Sequence, residues 1–173
     1  FNLAAESHVD NSINNPIKTF QTNVIGTLNL VNCTNLLIKN KILDINKFKF
    51  IHVSTDEVYG SLKINENSFT EKNIYSPNSP YSASKAGSDY IIKSFFKTFK
   101  FPGIITHCVN NFGPWQFPEK LIPVVIYKCL NGEKIPVYGN GKNIREWIYV
   151  KDHINALELI SRKGKIGETY NIG

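Results

Sequence analysis

The sequence predicts an α/β protein: a doubly wound parallel sheet, with part of a smaller lobe behind it. Three observations carry this. Apolar strand-like runs at Phe48–Val53 and Gly103–Val109 alternate with amphipathic helical stretches at about 16–39 and 81–100. Alternating strands and helices bury both faces of a parallel sheet. Beyond Pro114 the texture changes, because Pro118, Pro123 and Pro136 break the chain into short pieces. Residues 1–114 therefore read as the sheet portion and 115–173 as mostly a smaller lobe interleaved with it.

Phe1–Ala5 reads as the tail of a strand, and Glu6–Asp10 as a polar loop. Pro16 suits a first helical turn. Ile17, Phe20, Val24, Leu28 and Val31 follow at three- and four-residue steps, an amphipathic pattern to about Lys39. Gly26 interrupts it and would allow close packing. Residues 40–47 connect to the central strand, which stops at Ser54-Thr55-Asp56-Glu57-Val58-Tyr59-Gly60. Gly60–Asn78 lacks periodicity; a loop that long is either a substrate-facing flap or a disordered insertion.

Ser79-Pro80 starts a helix running from Tyr81 to about Lys100, with Ala83, Ala86, Tyr90, Ile91, Phe95 and Phe99 as its apolar positions. Pro102-Gly103 ends it, a buried strand follows, and Asn110–Pro114 reads as a turn. The remainder reads as a helix at Glu119–Asn131, a strand at Lys134–Tyr138, a turn at Gly139–Gly141, a strand at Arg145–Val150, a helix at Lys151–Arg162 and a strand-like ending. Both termini have the character of mid-protein sequence.

Hydrophobic content of 42% and charged content of 20% fit a globular domain. No apolar run approaches the roughly 20 residues that span a bilayer. Net charge is +6, but the lysines are scattered without a basic run, which argues against nucleic acid and leaves an anionic small ligand. Cys33, Cys108 and Cys129 form no C-x-x-C pair and read as small buried residues in a reducing, cytoplasmic setting. His8, His52, His107 and His153 share no metal or triad spacing and read as structural. No metal is expected.

The chemistry-bearing residues cluster between 54 and 85. Tyr81 and Lys85 lie four apart and share a helix face. A phenol with a pKa near 10 is a poor base at neutral pH, and a neighbouring ammonium would lower it. Asp56 and Glu57 close a strand; on extended backbone they diverge and could address two atoms of one substrate. An elimination needs such a pair, one acid and one base with unequal pKa values. Each feature alone has a plain alternative: a surface pair for Tyr81 and Lys85, solvated turn carboxylates for Asp56 and Glu57.

Together these stretches resemble a family. Leu3-Ala4-Ala5-Glu6-Ser7-His8-Val9-Asp10, Thr22-Asn23, Ser54–Gly60, Ser79–Lys85, Asn110–Pro114, Phe117–Pro123, Pro136–Gly139, Arg145–His153 and Gly167–Gly173 occur in the order seen in the extended short-chain dehydrogenase/reductases. They are most similar to those of the dTDP-glucose 4,6-dehydratases. The resemblance implies a Rossmann-like sheet, NAD as cofactor and a nucleotide sugar as substrate. It makes Thr55, Asp56, Glu57, Tyr81 and Lys85 catalytic. Tyr81, helped by Lys85, would deprotonate the sugar 4-hydroxyl as NAD takes hydride, and Thr55 would hydrogen-bond the C4 oxygen. Glu57 would remove the C5 proton and Asp56 would protonate the departing 6-hydroxyl, giving a 4-keto-6-deoxy sugar.

The same resemblance puts Leu3, Ala4, Ala5, Glu6, Ser7, Thr22, Tyr81, Lys85 and Asn111 at the cofactor. It puts Ser7, Thr55, Asn110, Lys120, Leu121, Pro136, Tyr138 and Arg145 at the substrate. Arg145 suits a diphosphate, being bidentate and always charged; its alternative is an ion pair with Glu146 or Asp152. Relatives pair through the helices matching 17–39 and 81–100, so a homodimer is implied. The rival readings are a UDP-glucose dehydratase, a 4-epimerase or decarboxylase of the same superfamily, and a non-catalytic NAD-binding scaffold. The glycine-rich phosphate turn and ribose-binding acid of a dinucleotide fold do not occur in these 173 residues, and the family pattern places them before Phe1. Residues 1–173 alone are therefore expected to bind NADH weakly and to be inactive; a fluorescence titration giving micromolar affinity would refute this.

Overall fold

The structure is a computed structural model that describes residues 1–63, 65–137 and 139–173. Helix α1 (Val9–Asn14) is followed by one long helical rod: α2 (Pro16–Phe20), a π-helical turn (Gln21–Ile25) and α3 (Gly26–Lys39). Then come β1 (Phe50–Thr55), a 3-10 turn (Asp56–Tyr59), α4 (Pro80–Phe99), β2 (Gly103–Cys108) and β3 (Asn110–Phe112). The chain closes with α5 (Leu121–Leu130), β4 (Trp147–Tyr149), α6 (Val150–Lys163) and β5 (Thr169–Ile172).

The main sheet runs β1-β2-β5, all parallel, with Thr55 opposite Cys108 and Cys108 opposite Ile172. Asn2 adds a single parallel bridge to His52, so the expected N-terminal strand is reduced to one pair. Each face has its own apolar cluster. Val31, Phe50, Ile92, Phe101 and Ile105 join α3 and α4 to one side. Ile51, Ile104, Leu157, Ile160 and Ile172 join α6 to the other. Helices on both faces of a parallel sheet make the fold doubly wound.

Several local expectations change. Val9–Asn14 is helical, not loop: the His8 ring nitrogen caps it and Ser12 is buried. The stretch at 110–112 is not a turn but a strand, pairing in parallel with Trp147–Tyr149 in a separate two-stranded sheet. Residues 134–137 form no strand, and Tyr138 lies outside the described residues. Gly26 approaches nothing closer than Gln21 O at 3.8 Å from a built Cβ; it marks the exit from the π-turn, not a tight crossing. Residues 150–172 are where the second half rejoins the main sheet, as α6 and β5.

The largest departure lies in α4. Its expected apolar positions Tyr90 and Phe99 are 56% and 43% exposed, while Ser82, Ser84, Lys85, Ser88 and Asp89 are buried. The helix runs back over β1, so its polar first half meets Ser54 and His52, and its apolar second half meets Phe50. The two elements share a gradient, from apolar at one end to polar at the carboxyl end of the sheet.

Candidate active site

Thr55 ends β1 in extended conformation, and its Oγ1 accepts the Glu57 backbone N–H at 3.3 Å. That bond caps the 3-10 turn that follows. Asp56 and Glu57 therefore diverge because of helical geometry, about 120° per residue, and not because the strand continues. Both line a cleft of about 1080 Å³ with Ser7, Asn110, Lys120, Leu121, Pro136 and Arg145. Thr55, Tyr81 and Lys85 are not among the residues lining it.

The two carboxyls share a cause and differ in neighbours. Burial raises Asp56 above the usual carboxylate range, and nearby Glu146 adds to that; the Thr55 hydroxyl, donating at 3.3 Å, opposes. Burial also raises Glu57, as does Asp56 beside it, while Arg145 and Lys120 pull it down. Asp56 thus sits next to one negative group from the second half of the chain, and Glu57 next to Asp56 and two positive groups.

Helix α4 starts on a capping box in which Ser79 and Ser82 serve each other's backbone N–H. The Tyr81 backbone N–H donates to Ser12 Oγ at 3.1 Å, which seats α1. Burial lifts the Tyr81 phenol well above its ordinary range; Glu57, Cys108 and Asp56 push the same way, against a Thr55 contact. This reverses the expected lowering by Lys85. The reason is burial, and the ammonium has a partner of its own: Lys85 Nζ donates to the Val53 carbonyl at 2.8 Å, and burial lowers its proton affinity against the pull of Asp89.

Leu3 and Ala4 are exposed beside the carboxyl edge of β1. Asn23 is buried in the π-turn and holds this loop: its side chain accepts from Glu6 N at 2.8 Å, and donates to Glu6 O at 3.0 Å and Ser84 Oγ at 2.8 Å. Thr22 is exposed on the outside of the same turn. Lys120 donates to Ser7 O at 3.1 Å. Asn111 Oδ1 meets His153 Nδ1 at 2.8 Å, and Asn110 donates to Glu146 O at 3.3 Å. Arg145 forms no ion pair with Glu146 or Asp152; it donates to Ile144 O at 2.9 Å. Cys33 and Cys129 are exposed and Cys108 is half-buried, against the expectation that all three are buried.

A family model described as GDP-mannose 4,6 dehydratase matches residues 1–173. The chain belongs to the GDP-mannose 4,6-dehydratase family. Within it, a dTDP-glucose 4,6-dehydratase of Xanthomonas campestris is 52% identical over 99% of this chain and 49% of its own length. The solved dTDP-glucose 4,6-dehydratase DesIV of Streptomyces venezuelae, with NAD and a second ligand bound, is 44% identical with a TM-score of 0.90, over 99% of this chain and 50% of that one. The Bacillus anthracis dTDP-glucose 4,6-dehydratase, solved with NAD, is 45% identical with a TM-score of 0.84, over 99% of this chain and 49% of that one. The chain thus spans about half the length of the relatives it matches.

For this member of the GDP-mannose 4,6-dehydratase family, sequence reasoning passed over two groups of residues. One is Asn23, noticed beside Thr22 yet left without a role; an Asn inside a helix with several unused donors and acceptors was the available signal. The other is the buried set around Asp89. The loop 60–78, tied down by Tyr75 OH to His107 Nε2 at 3.1 Å, by Phe69 stacked 5.1 Å from Tyr59, and by Ser76 N to Val58 O at 2.9 Å, belongs to the same set. Replacing Asn23 with Ala in the intact protein leaves Glu6 and Ser84 without their partner. A stability loss of about 2–4 kcal/mol is expected, with faster hydrogen exchange at the Glu6 amide; unchanged exchange there would contradict the stapling role.

Proposed function

We propose that the intact protein is an NAD-dependent hydro-lyase converting dTDP-glucose to dTDP-4-keto-6-deoxyglucose. One observation carries this reading: Asp56 and Glu57 face one cleft with opposite electrostatic neighbours. Glu146 favours a proton on Asp56, so Asp56 is the acid for the departing 6-hydroxyl. Arg145 and Lys120 favour the Glu57 carboxylate, so Glu57 is the base for the C5 proton. An elimination needs that division of labour, and an epimerase would not use it.

The remaining residues fit a cofactor at the carboxyl edge of the sheet. Leu3, 59% exposed, and Ala4 leave apolar surface uncovered there. Lys85 has three donor protons and uses one on Val53, which leaves two for ribose hydroxyls. Ala5, Glu6, Ser7, Thr22 and Asn111 complete the proposed cofactor side, with residues 1–114 as its main support. NAD, when bound, would supply the hydride acceptor at C4, the hydride returned to C6, and a positive ring that draws the Tyr81 phenol down. Tyr81 then takes the 4-hydroxyl proton, and Thr55 donates to the C4 oxygen. Ser7, Asn110, Lys120, Leu121, Pro136 and Arg145, mostly from 115–173, hold the sugar and diphosphate; Tyr138 is proposed with them. The names and identities of the relatives support dTDP over UDP.

Replacing Asp56 with Asn in the intact protein should slow water loss by about 10²–10⁴-fold while C4 oxidation persists. Stopped-flow absorbance would show NADH accumulating without the 4-keto-6-deoxy product; normal product formation would refute the assignment. We also propose a homodimer in a reducing cytoplasm, built through α2–α3 and α4. Ile17 and Phe20 line an apolar groove with Val24 and Ile25, and Tyr90 and Phe99 are exposed on α4. Light scattering of the intact protein should return twice the monomer mass, and a monomer at micromolar concentration would overturn it.

A further inference from the structure

Asp89 is fully buried one helical turn beyond Lys85. Its Oδ2 accepts from Ser54 Oγ at 3.1 Å and faces His107 Nε2 at 2.9 Å. A carboxylate only accepts, so His107 carries a proton on Nε2, while its Nδ1 lies 2.8 Å from Tyr59 OH and 3.2 Å from Asn171 Oδ1. The other carboxylate oxygen makes no hydrogen bond and lies 3.5 Å from His52 Nε2. His52 bridges Ser88 Oγ at 3.1 Å and Asn2 Nδ2 at 3.1 Å.

Four elements thus meet at one anion. Strand β1 contributes Ser54 and His52, β2 contributes His107, α4 carries the anion itself, and the loop brings Tyr75, itself held by Lys93 at 2.9 Å, to His107. A lone buried carboxylate is strongly unfavourable unless cations and donors face it. Of the cations near it, Lys85 and Lys93 stand on its own helix. His52 is held neutral, its pKa drawn down to about 3 by burial first and by Lys85 second. Ser54, the other tie, immediately precedes Thr55 on β1.

We propose that Asp89 is a positioning residue that, through its hydrogen bond from Ser54, locks the Ser54–Thr55 strand end in register with α4, so that Thr55, Tyr81 and Lys85 keep one mutual geometry. It touches neither sugar nor cofactor; it acts through Ser54 and by its charge one helical turn from Lys85. The inference rests on the dehydratase reading for its kinetic consequence, and on the structure alone for its effect on Lys85.

The test uses the intact protein with Asp89→Asn, which keeps the shape and removes the charge, and Ser54→Ala, which removes one hydrogen bond and keeps the charge. In Asp89→Asn, kcat for dTDP-glucose should fall about 10- to 100-fold, as for loss of a charge-bearing hydrogen-bonding partner, with KM nearly unchanged. Removing the anion takes away the pull that keeps Lys85 protonated, so the alkaline limb of the kcat profile should move to lower pH. The Lys85 side chain, followed by nitrogen-15 and carbon-13 NMR without substrate, should titrate at lower pH than in the wild type. In Ser54→Ala, kcat should fall severalfold with the alkaline limb in place. An unmoved Lys85 titration, or an unchanged kcat in a wild type that turns over dTDP-glucose, overturns the proposal. Should Asp89→Asn fail to fold, Ser54→Ala decides by the same kcat criterion, or by unchanged carbon-13 shifts at Thr55 and Lys85. A wild type inactive on dTDP-glucose sinks the dehydratase reading by itself, and the NMR measurements still decide the role of Asp89.

Discussion

Everything at the carboxyl end of this sheet depends on a polar seam between β1 and α4. Apolar packing would let a helix slide or rotate on a strand at small penalty, since methyl groups have no directional preference. Here Ser54, His52, Ser84, Lys85, Ser88 and Asp89 are all buried, and each requires partners at fixed distances and angles. Lys85 reaches a backbone carbonyl of β1, Ser54 reaches a carboxylate of α4, and His52 reaches a hydroxyl of α4. Shifting the helix by one residue would orphan all of them together. The apolar half, around Phe50, Ile92 and Phe101, supplies the burial that drives the contact; the polar half defines its register.

That register explains the layering of the site. The hydroxyl, phenol and ammonium belong to the seam and are held behind the cleft wall. The acids leave it, because the backbone turns out of the strand immediately after Thr55 and carries Asp56 and Glu57 into the cleft. Both are raised by burial; what distinguishes them is their charged neighbours. The second half of the chain brings Glu146 towards one and Arg145 and Lys120 towards the other.

The sequence made the alternation of strands and helices legible, because 3.6- and 2-residue periodicities survive without knowledge of contacts. The Thr55–Asp56–Glu57 and Tyr81–Lys85 stretches were legible as well, by order and spacing. What stayed hidden depends on partners. Three residues at 110–112 make a strand only because 147–149 lie alongside them. The π-turn that aims Asn23 inward and Thr22 outward has no pattern of its own. The buried face of α4 is not the one its apolar positions mark; Asp89 stands at Lys85 plus four, a same-face spacing, but nothing in one dimension says that a face is dry. The phenol's electrostatics went the wrong way for the same reason. Spacing put an ammonium on Tyr81's face, whereas the fold buries the phenol and gives the ammonium a partner in the Val53 carbonyl.

A second gradient separates reaction from recognition. Groups proposed to move protons are buried or half-buried and sit beside the braced end of β1, where Thr55 bonds both Asp56 and the Glu57 backbone. Those proposed to hold the nucleotide sugar are exposed and lightly braced: Arg145 bonds the carbonyl just before it, Lys120 bonds Ser7, and Pro136 and Leu121 stand open. This division follows from what each task requires. Proton transfer weakens steeply with misplacement of a few tenths of an ångström, so its groups must be preorganised by the fold. A diphosphate carries its own strong charges and can order flexible cations as it arrives. The seam therefore has to be complete before any ligand binds, and Ser54, His52 and Lys85 are already bonded across it, whereas the basic rim of the cleft can be ordered by the ligand itself.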